Sequence, residues 1–524
     1  MPGMSRLFMD LCAGKQEAQR FFGAGAGADW QTRPQLPAHW PELVKLLGEQ
    51  NGEAAHAALA ALTEGAGTVV TGQQVGLLGG PLLTALKAAT ALARARQATA
   101  AGRPHAAIFW LATEDHDFAE IDHVMLPAGR ALETLRYAHP EAAAGRPVGG
   151  LVLGEEITAL VERAQELLGP GEASDALAAA YKPGRTFAQA FADFYRTMFA
   201  AEGLLTLDAS GRGFHRLGAP VLRAALEQAD ELHSALLERN GELEAAGYHA
   251  QVAVGEQNSL LFLLDEVTGA RVALKRTVPT AAEPGGLWQA GARSYSTADL
   301  VGILESAPER ISPSALLRPV FQDSLLSTSL VIGGPAEIAY FAQSGVLYER
   351  ILGRQTPAQP RLFATLIEPG IAKLLDRHGL SLDQLFTETP ATLAQRLAEQ
   401  SMPAETKQKL AAASDALEQE LDALVGWMQA EDKGMGQSAE TAAGKIRYQM
   451  NRLRTLAANF QLQRETSYTR HAESLMNALY PDGHLQERVH GAAYYFARYG
   501  AALAETLTRQ AEDTCAGHAA LRMG

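Results

Sequence analysis

The sequence predicts an α/β protein with a parallel-sheet core, and three observations carry that prediction. Four short apolar runs, at 68–71, 106–112, 203–208 and 329–332, each end in glycines or acidic residues. Segments of helical periodicity separate them and are long enough to serve as right-handed crossovers. Period-two patterning around a glycine turn, the mark of an antiparallel hairpin, is confined to stretches between these units.

Composition narrows the class. At 524 residues the chain is long enough for about three domains. An apolar fraction of 47% with 20% charged residues is that of a folded chain. Lys and Arg total 45 against 59 for Asp and Glu, so the surface field repels a nucleic-acid backbone, and no basic run offsets it. Cys12 and Cys515 stand at opposite ends, so neither a disulfide framework nor a thiolate zinc site is expected. Asp10 interrupts the N-terminal apolar segment, and no apolar run approaches the ~18 residues of a membrane span. A cytoplasmic protein without membrane or nucleic-acid contacts is expected.

Taken in order, residues 1–66 read as an irregular arm leading into a helix over 42–62. The first unit follows: the run 68–71 breaks into Gly72, Gln73, Gln74, Gly76, Gly79, Gly80 and Pro81 before a helix over 82–96 that carries Lys87. The second run, 106–112, ends in Glu114, Asp115, His116 and Asp117, with Glu120, Asp122 and His123 close behind. An insertion near 128–200 reads as short strands at 132–137 and 148–153, a helix over 157–168 and another over 186–201. The third unit ends its strand at Asp208, with a helix beginning near Pro220. A second insertion, near 245–300, contains the hairpin 260–264 and 271–275. Arg318, Gln322 and Asp323 precede the fourth strand, which breaks into Gly333, Gly334 and Pro335 with Glu337 in the first helical turn.

The core is thus expected over 67–369. Beyond it, leucines at heptad spacing predict a helical coiled-coil hairpin over 370–470, broken at Gly434–Gly436, which folds onto its own chain or forms a dimer contact. A helical segment over 471–524 packs back on the core.

In an open parallel sheet the loops after the four strands fall on one rim. Gln73 and Gln74, then Glu114 to Asp117, then Asp208, then Gly333 and Gly334 should therefore converge. The two glycine loops resemble neither a Walker motif nor a GxGxxG fingerprint, yet each opens a helix whose N-terminus suits an anion. The acidic loop needs a cation, because two carboxylates ~4 Å apart repel by ~4 kcal/mol at an effective dielectric of about 20. A metal held with His116 and His123, a basic side chain such as Lys87 or Arg318, or a substrate amine would each serve; a solvated loop is the bland alternative. His116 is also a candidate general base.

Four stretches in this order, TGQQVGLLGGPLLTALKA, FWLATEDHDFAEIDHV, LLRPVFQDSLLSTSLVIGGPAEIAYFAQ and YPDGHLQERVHGAAYYFARYG, resemble the cysteine-adding BshC enzymes of bacillithiol biosynthesis. The resemblance spans nearly the whole chain. It implies a Rossmann-type core with two inserted connecting segments, a C-terminal α-helical coiled-coil domain and a homodimer formed through it. It also implies an amide-forming ligase joining cysteine to the amine of glucosaminyl malate, with ATP as the expected cosubstrate and no metal. By motif position it assigns Glu114, Asp115, His116, Asp117 and His123 to catalysis. Gln73, Gln74, Gly80, Pro81, Lys87, Arg318, Gln322, Asp323, Gly333, Gly334 and Glu337 fall to substrate or nucleotide, alongside Asp208 from the rim argument. The HxGH and KMSKS adenylation signatures are absent, and Leu86 precedes Lys87 where histidine or an aromatic residue is expected. Two rival readings are a metal-dependent hydrolase or transferase built on Glu114, His116, Asp117 and His123, and a helical scaffold that only binds a metabolite.

Overall fold

The computed structural model describes residues 4–22, 29–52, 55–139, 144–255, 257–277, 287–464, 466–513 and 517–524. Cys515 and part of each expected insertion lie outside them. The chain divides into two compact units. The first takes residues 1–128, 133–364 and 487–519, and the second takes 129–132, 365–486 and 520–524.

In chain order the strands used below are β1 (Gly67–Gln73), β2 (His105–Leu111), β3 (His123–Ala128), β4 (Ala131–Arg136), β5 (Leu205–Asp208), β6 (Asn258–Leu264), β7 (Arg271–Arg276), β8 (Trp288–Ala290), β9 (Arg293–Tyr295), β10 (Ile311–Pro313), β11 (Leu330–Gly333) and β12 (Ala358–Pro360). Five of them form a parallel sheet in the order β12, β11, β1, β2, β5. Counted along the chain this is the doubly wound order, whose switch point lies between β1 and β11, where Val69 pairs with Leu330 and Thr71 with Ile332. Val69, Val70, Ile108 and Phe109 have no exposed surface, as a sheet covered on both faces demands. Helix Arg212–Glu227 supplies Leu222, and helix Arg318–Leu326 supplies Val320, Phe321 and Leu325, to the core that includes Ile108 and Leu205.

The second insertion is an antiparallel sheet ordered β10, β6, β7, β8, β9, in which Phe262 pairs with Ala273 across the hairpin. The expected strand over 148–153 is instead a short 3-10 turn, Val148–Gly150, with an isolated bridge from Val152 to Thr186. Its backbone is used elsewhere: Val148 N donates to Asp115 O (2.7 Å) and Gly149 N to Thr113 O (2.9 Å), which fixes the acidic loop. The third-unit helix begins at Arg212, not near Pro220. Pro220 removes one ladder donor, and burial of Val221, Leu222, Ala225 and Leu226 on the same helix outweighs that loss. The helix expected over 42–62 is two helices, Trp40–Asn51 and His56–Thr63, and the arm before it contains helix Arg6–Cys12.

In the second unit, helices Ala404–Glu431 and Lys433–Arg464 form the long hairpin. The break falls at Asp432, whose Oδ1 accepts from Met435 N (2.8 Å) and caps the second helix. Gly434 and Gly436 lie inside that helix rather than at the turn. A Cβ on Gly436 would stand 2.8 Å from Gln429 Cα, so this glycine serves close helix approach.

The loop after β1 is buried from Val75 to Gly80. Tyr181 Oη accepts from Gly79 N (2.8 Å) and donates to Gly76 O (3.1 Å), while Tyr195 Oη donates to Gly79 O (2.8 Å). Gly79 has φ of 87°, and a Cβ there would lie 2.6 Å from Phe194 Cε1. Gly79→Ala is therefore expected to combine left-handed strain with overpacking and lower stability by about 2–4 kcal/mol in urea unfolding.

Candidate active site

Three loops and the inserted sheet enclose a cavity of about 460 Å³ at the C-terminal rim of β2 and β5. That is a normal size for a small-molecule site of ~300–1,000 Å³. Glu114, Asp115 and His116 come from the loop after β2, Ser210 from the loop after β5, Phe262 and Arg271 from the inserted hairpin, and Ser314 and Arg318 from the segment after β10. A second flank carries Asp230, His233 and Arg276.

The acidic loop is built by backbone as well as side chain. Asp115 Oδ1 accepts from His116 N (2.7 Å) and Asp117 N (3.3 Å), and its Oδ2 accepts from Gln74 Nε2 (2.6 Å). Glu114 Oε1 lies 2.8 Å from Nε2 of His215, a fully buried residue of helix Arg212–Glu227. Burial acts against the charged His215 imidazole, but the Glu114 carboxylate outweighs it and raises the His215 pKa above its ordinary value.

Arg271 is the principal cation facing these carboxylates. Its guanidinium stacks 3.7 Å above the Phe262 ring, donates through Nε to Ser312 Oγ (2.9 Å), and donates through Nη2 to Pro313 O (2.7 Å). Nη1 reaches His116 Nδ1 at 3.4 Å. Since arginine only donates, His116 Nδ1 accepts and its ring proton resides on Nε2, which makes His116 a donor toward a ligand in this arrangement. Burial pushes the Arg271 pKa down, opposed by Glu114 and Asp115. Ser314 Oγ is buried and without a hydrogen-bond partner among the described residues, a polar group left for a ligand or water.

The switch point itself is filled by the protein. Lys87 Nζ donates to Gly72 O (2.7 Å) and Gln73 Oε1 (2.7 Å) and pairs with Glu337, whose Oε2 accepts from Gly334 N (2.8 Å). Burial lowers the Lys87 pKa, Glu337 opposes that shift, and Arg361 and Arg318 add to it. Arg318 donates to Tyr340 Oη (2.6 Å) and Gln322 Oε1 (3.4 Å), not to Asp323, which accepts from Tyr348 Oη (2.7 Å).

The rim residues predicted from sequence therefore separate into groups. Glu114, Asp115, His116 and Arg318 line the cavity, and Gln74 holds Asp115. Gln73, Lys87, Gly334 and Glu337 form the buried switch-point cluster. Gly333 O accepts from Arg361 N (3.0 Å). Asp208 does not line the cavity; its Oδ1 accepts from two lining residues, Thr113 Oγ1 (2.6 Å) and Ser210 N (3.0 Å). Gln322 and Asp323 are buried behind Arg318. Asp117 is exposed. His123 Nδ1 bonds Asp122 Oδ1 (2.7 Å), away from the cavity lining.

Several N–H groups of the two glycine loops are already committed within the protein. Gly76 N donates to Gln74 O, Gly80 N to Leu77 O and Leu82 N to His490 O, and Ala492 N closes on Gly80 O beside the Pro81–Gly491 bridge. The Glu337 carboxylate occupies the second helix N-terminus. These committed groups are not free to bind a nucleotide phosphate. Glu114, His116, Asp117 and His123 are likewise not gathered as a ligand set; no cluster of three or more His, Cys, Asp or Glu suited to a metal occurs among the described residues. Arg271, His215 and Ser314 are the site residues that sequence reasoning missed. Arg271 opens a strand that reads as part of an insertion, and His215 precedes the point, Pro220, at which the sequence pattern starts its helix.

A doubly wound α/β protein with a mixed-charge cavity on its C-terminal rim is a small-molecule binding or transfer protein by fold and site. The bacillithiol biosynthesis BshC descriptions match it in two parts, the N-terminal Rossmann-like domain over residues 1–362 and the C-terminal coiled-coil domain over 364–523. This chain belongs to the BshC family of bacillithiol biosynthesis. It is 39% identical to a protein of Koribacter versatilis (strain Ellin345), across 100% of this chain and 98% of that one. It is 35% identical to a protein of Solibacter usitatus (strain Ellin6076), across 99% and 97%. Both carry the name "Putative cysteine ligase BshC". Among the described residues no helix is long and apolar enough to cross a membrane.

Two measurements test this electrostatic frame. Lys87→Met leaves Glu337 without its buried cation and should cost about 3–5 kcal/mol in urea unfolding. Because the folded pKa of His215 is raised above 6.5, its pairing with Glu114 contributes full stability below pH 6.5 and loses it as pH rises through the folded value. The unfolding free-energy gap between wild type and Glu114→Gln should therefore be widest below pH 6.5 and narrow as pH rises above it.

Proposed function

We propose that this chain is a carbon–nitrogen ligase that joins cysteine to the amine of glucosaminyl malate, completing bacillithiol. The observation that carries the reading is one cavity with carboxylates, Glu114 and Asp115, set against the preorganised guanidinium of Arg271. An amine needs the first and an anionic substrate group needs the second. The names carried by the relatives supply the substrate class.

In this reading the substrate ammonium docks between Glu114 and Asp115. Asp115, held by Gln74 and two backbone N–H groups, accepts its proton. The freed amine attacks the carbonyl carbon of an activated cysteinyl group; the C–N bond forms and the bond to the activating group breaks. His116 Nε2–H donates to the oxygen on which charge develops. Arg271 and Arg318 neutralise anionic substrate groups. Activation of the carboxyl has no residue assigned to it, and ATP is the cosubstrate that the family resemblance suggests.

A homodimer formed through the long hairpin belongs to the same proposal. Leu424, Trp427, Tyr448, Leu453 and Leu456 are each more than half exposed there, an apolar display that association would cover.

Purified protein incubated with cysteine and glucosaminyl malate, with and without ATP, should yield the condensed thiol by mass spectrometry. Asp115→Asn should reduce its formation by roughly 100-fold or more while leaving the unfolding midpoint unchanged. Wild-type product formation by this variant would refute the role of Asp115. Tight substrate binding with no turnover would favour a metabolite-binding scaffold instead.

A further inference from the structure

We infer that His215 is a positioning residue for the ligation site, acting through Glu114 to hold that carboxylate aimed at the incoming amine. The inference rests on the ligase reading above and adds a residue to it that touches neither substrate nor cavity.

The geometry is specific. Glu114 lines the cavity, while His215 has no exposed surface and does not. The two meet at 2.8 Å, Oε1 to Nε2. The imidazole is held from behind by the Phe321 ring, centroids 5.4 Å apart, and a Cβ on Gly218 would overlap that same ring. Neither ring nitrogen meets hydrogen-bond geometry among the described residues, so the contact with Glu114 is one of proximity and charge. Glycine at 218 thus leaves room for the phenylalanine that fixes the histidine, which fixes the carboxylate.

Other charges sharpen the assignment. Glu309 also favours a cationic His215 from the turn Pro308–Arg310, and its own partner Arg212 lies on the outer side. On the cavity side Glu114 is flanked by Asp115, and both carboxylates act on Arg271. Arg271, however, is committed to Ser312, Pro313 and His116, so His215 is the cation in direct contact with Glu114. A neutral residue at 215 leaves Glu114 beside Asp115 without that contact. The carboxylate is then no longer held in the orientation from which it accepts from the substrate ammonium.

The test is a double-mutant cycle read as pH profiles of kcat/KM for cysteine addition, using the full-length chain, in wild type, His215→Asn, Glu114→Gln and the double variant. His215→Asn should lower kcat/KM about tenfold near neutrality, with a deficit that narrows as pH rises and His215 itself loses its proton, whereas in the Glu114→Gln background it should change kcat/KM by no more than about twofold. Equal losses in both backgrounds, or a deficit that does not narrow with rising pH, would overturn the inference in favour of a packing role. Should His215→Asn fail to fold by circular dichroism, His215→Gln, which keeps a donor and more of the volume, takes its place with the same expectations. Absence of turnover in wild type under every nucleotide condition would instead refute the ligase reading, and the inference with it.

Discussion

The buried ammonium of Lys87 is the interaction on which the core depends. It joins the end of β1, through Gly72 O and Gln73, to the N-terminus of helix Pro335–Leu352, through Glu337. Those two segments flank the switch point of the sheet, where doubly wound proteins ordinarily leave a crevice. A cation in that position must be paired to survive burial, and Glu337 must in turn cap Gly334 to keep its place. Closing the crevice this way moves the open part of the rim toward β2 and β5. The loop after β1 is consequently packed under Tyr181 and Tyr195 rather than opened to a ligand.

The displaced cavity is completed by the inserted sheet. Without β6, β7 and β10 the acidic loop would face solvent, where like charges are weakly coupled and little is gained by gathering them. With them, Arg271 is clamped by Phe262, Ser312 and Pro313 and set opposite Glu114 and Asp115. Binding an amine and an anion in one enclosed space then becomes a property of two sheets of different kinds. The parallel sheet contributes carboxylates at strand ends, and the antiparallel one contributes the guanidinium. The 3-10 turn at Val148–Gly150 serves the same end, since its two N–H groups pin the backbone of Thr113 and Asp115.

Local pattern and tertiary placement part company at identifiable residues. The sequence by itself determined the four strand and loop units, the hairpin of β6 and β7, the helical second unit, and the presence of Glu114, Asp115 and His116 at a strand end. These follow from periodicity and from the polarity switch where a buried strand meets its loop, both of which are short-range properties. Only the tertiary structure decided what each polar group does. Glycine loops with the look of anion sites spend N–H groups on Tyr181, backbone and Glu337, because which donor meets which acceptor depends on residues far away in sequence, as with Gly79 and Tyr181. The pairing of Glu114 with His215 and the clamp on Arg271 were invisible for the same reason. A side chain's charge state and aim are set by what packs against it, and that partner is chosen by the fold, not by its neighbours in the chain.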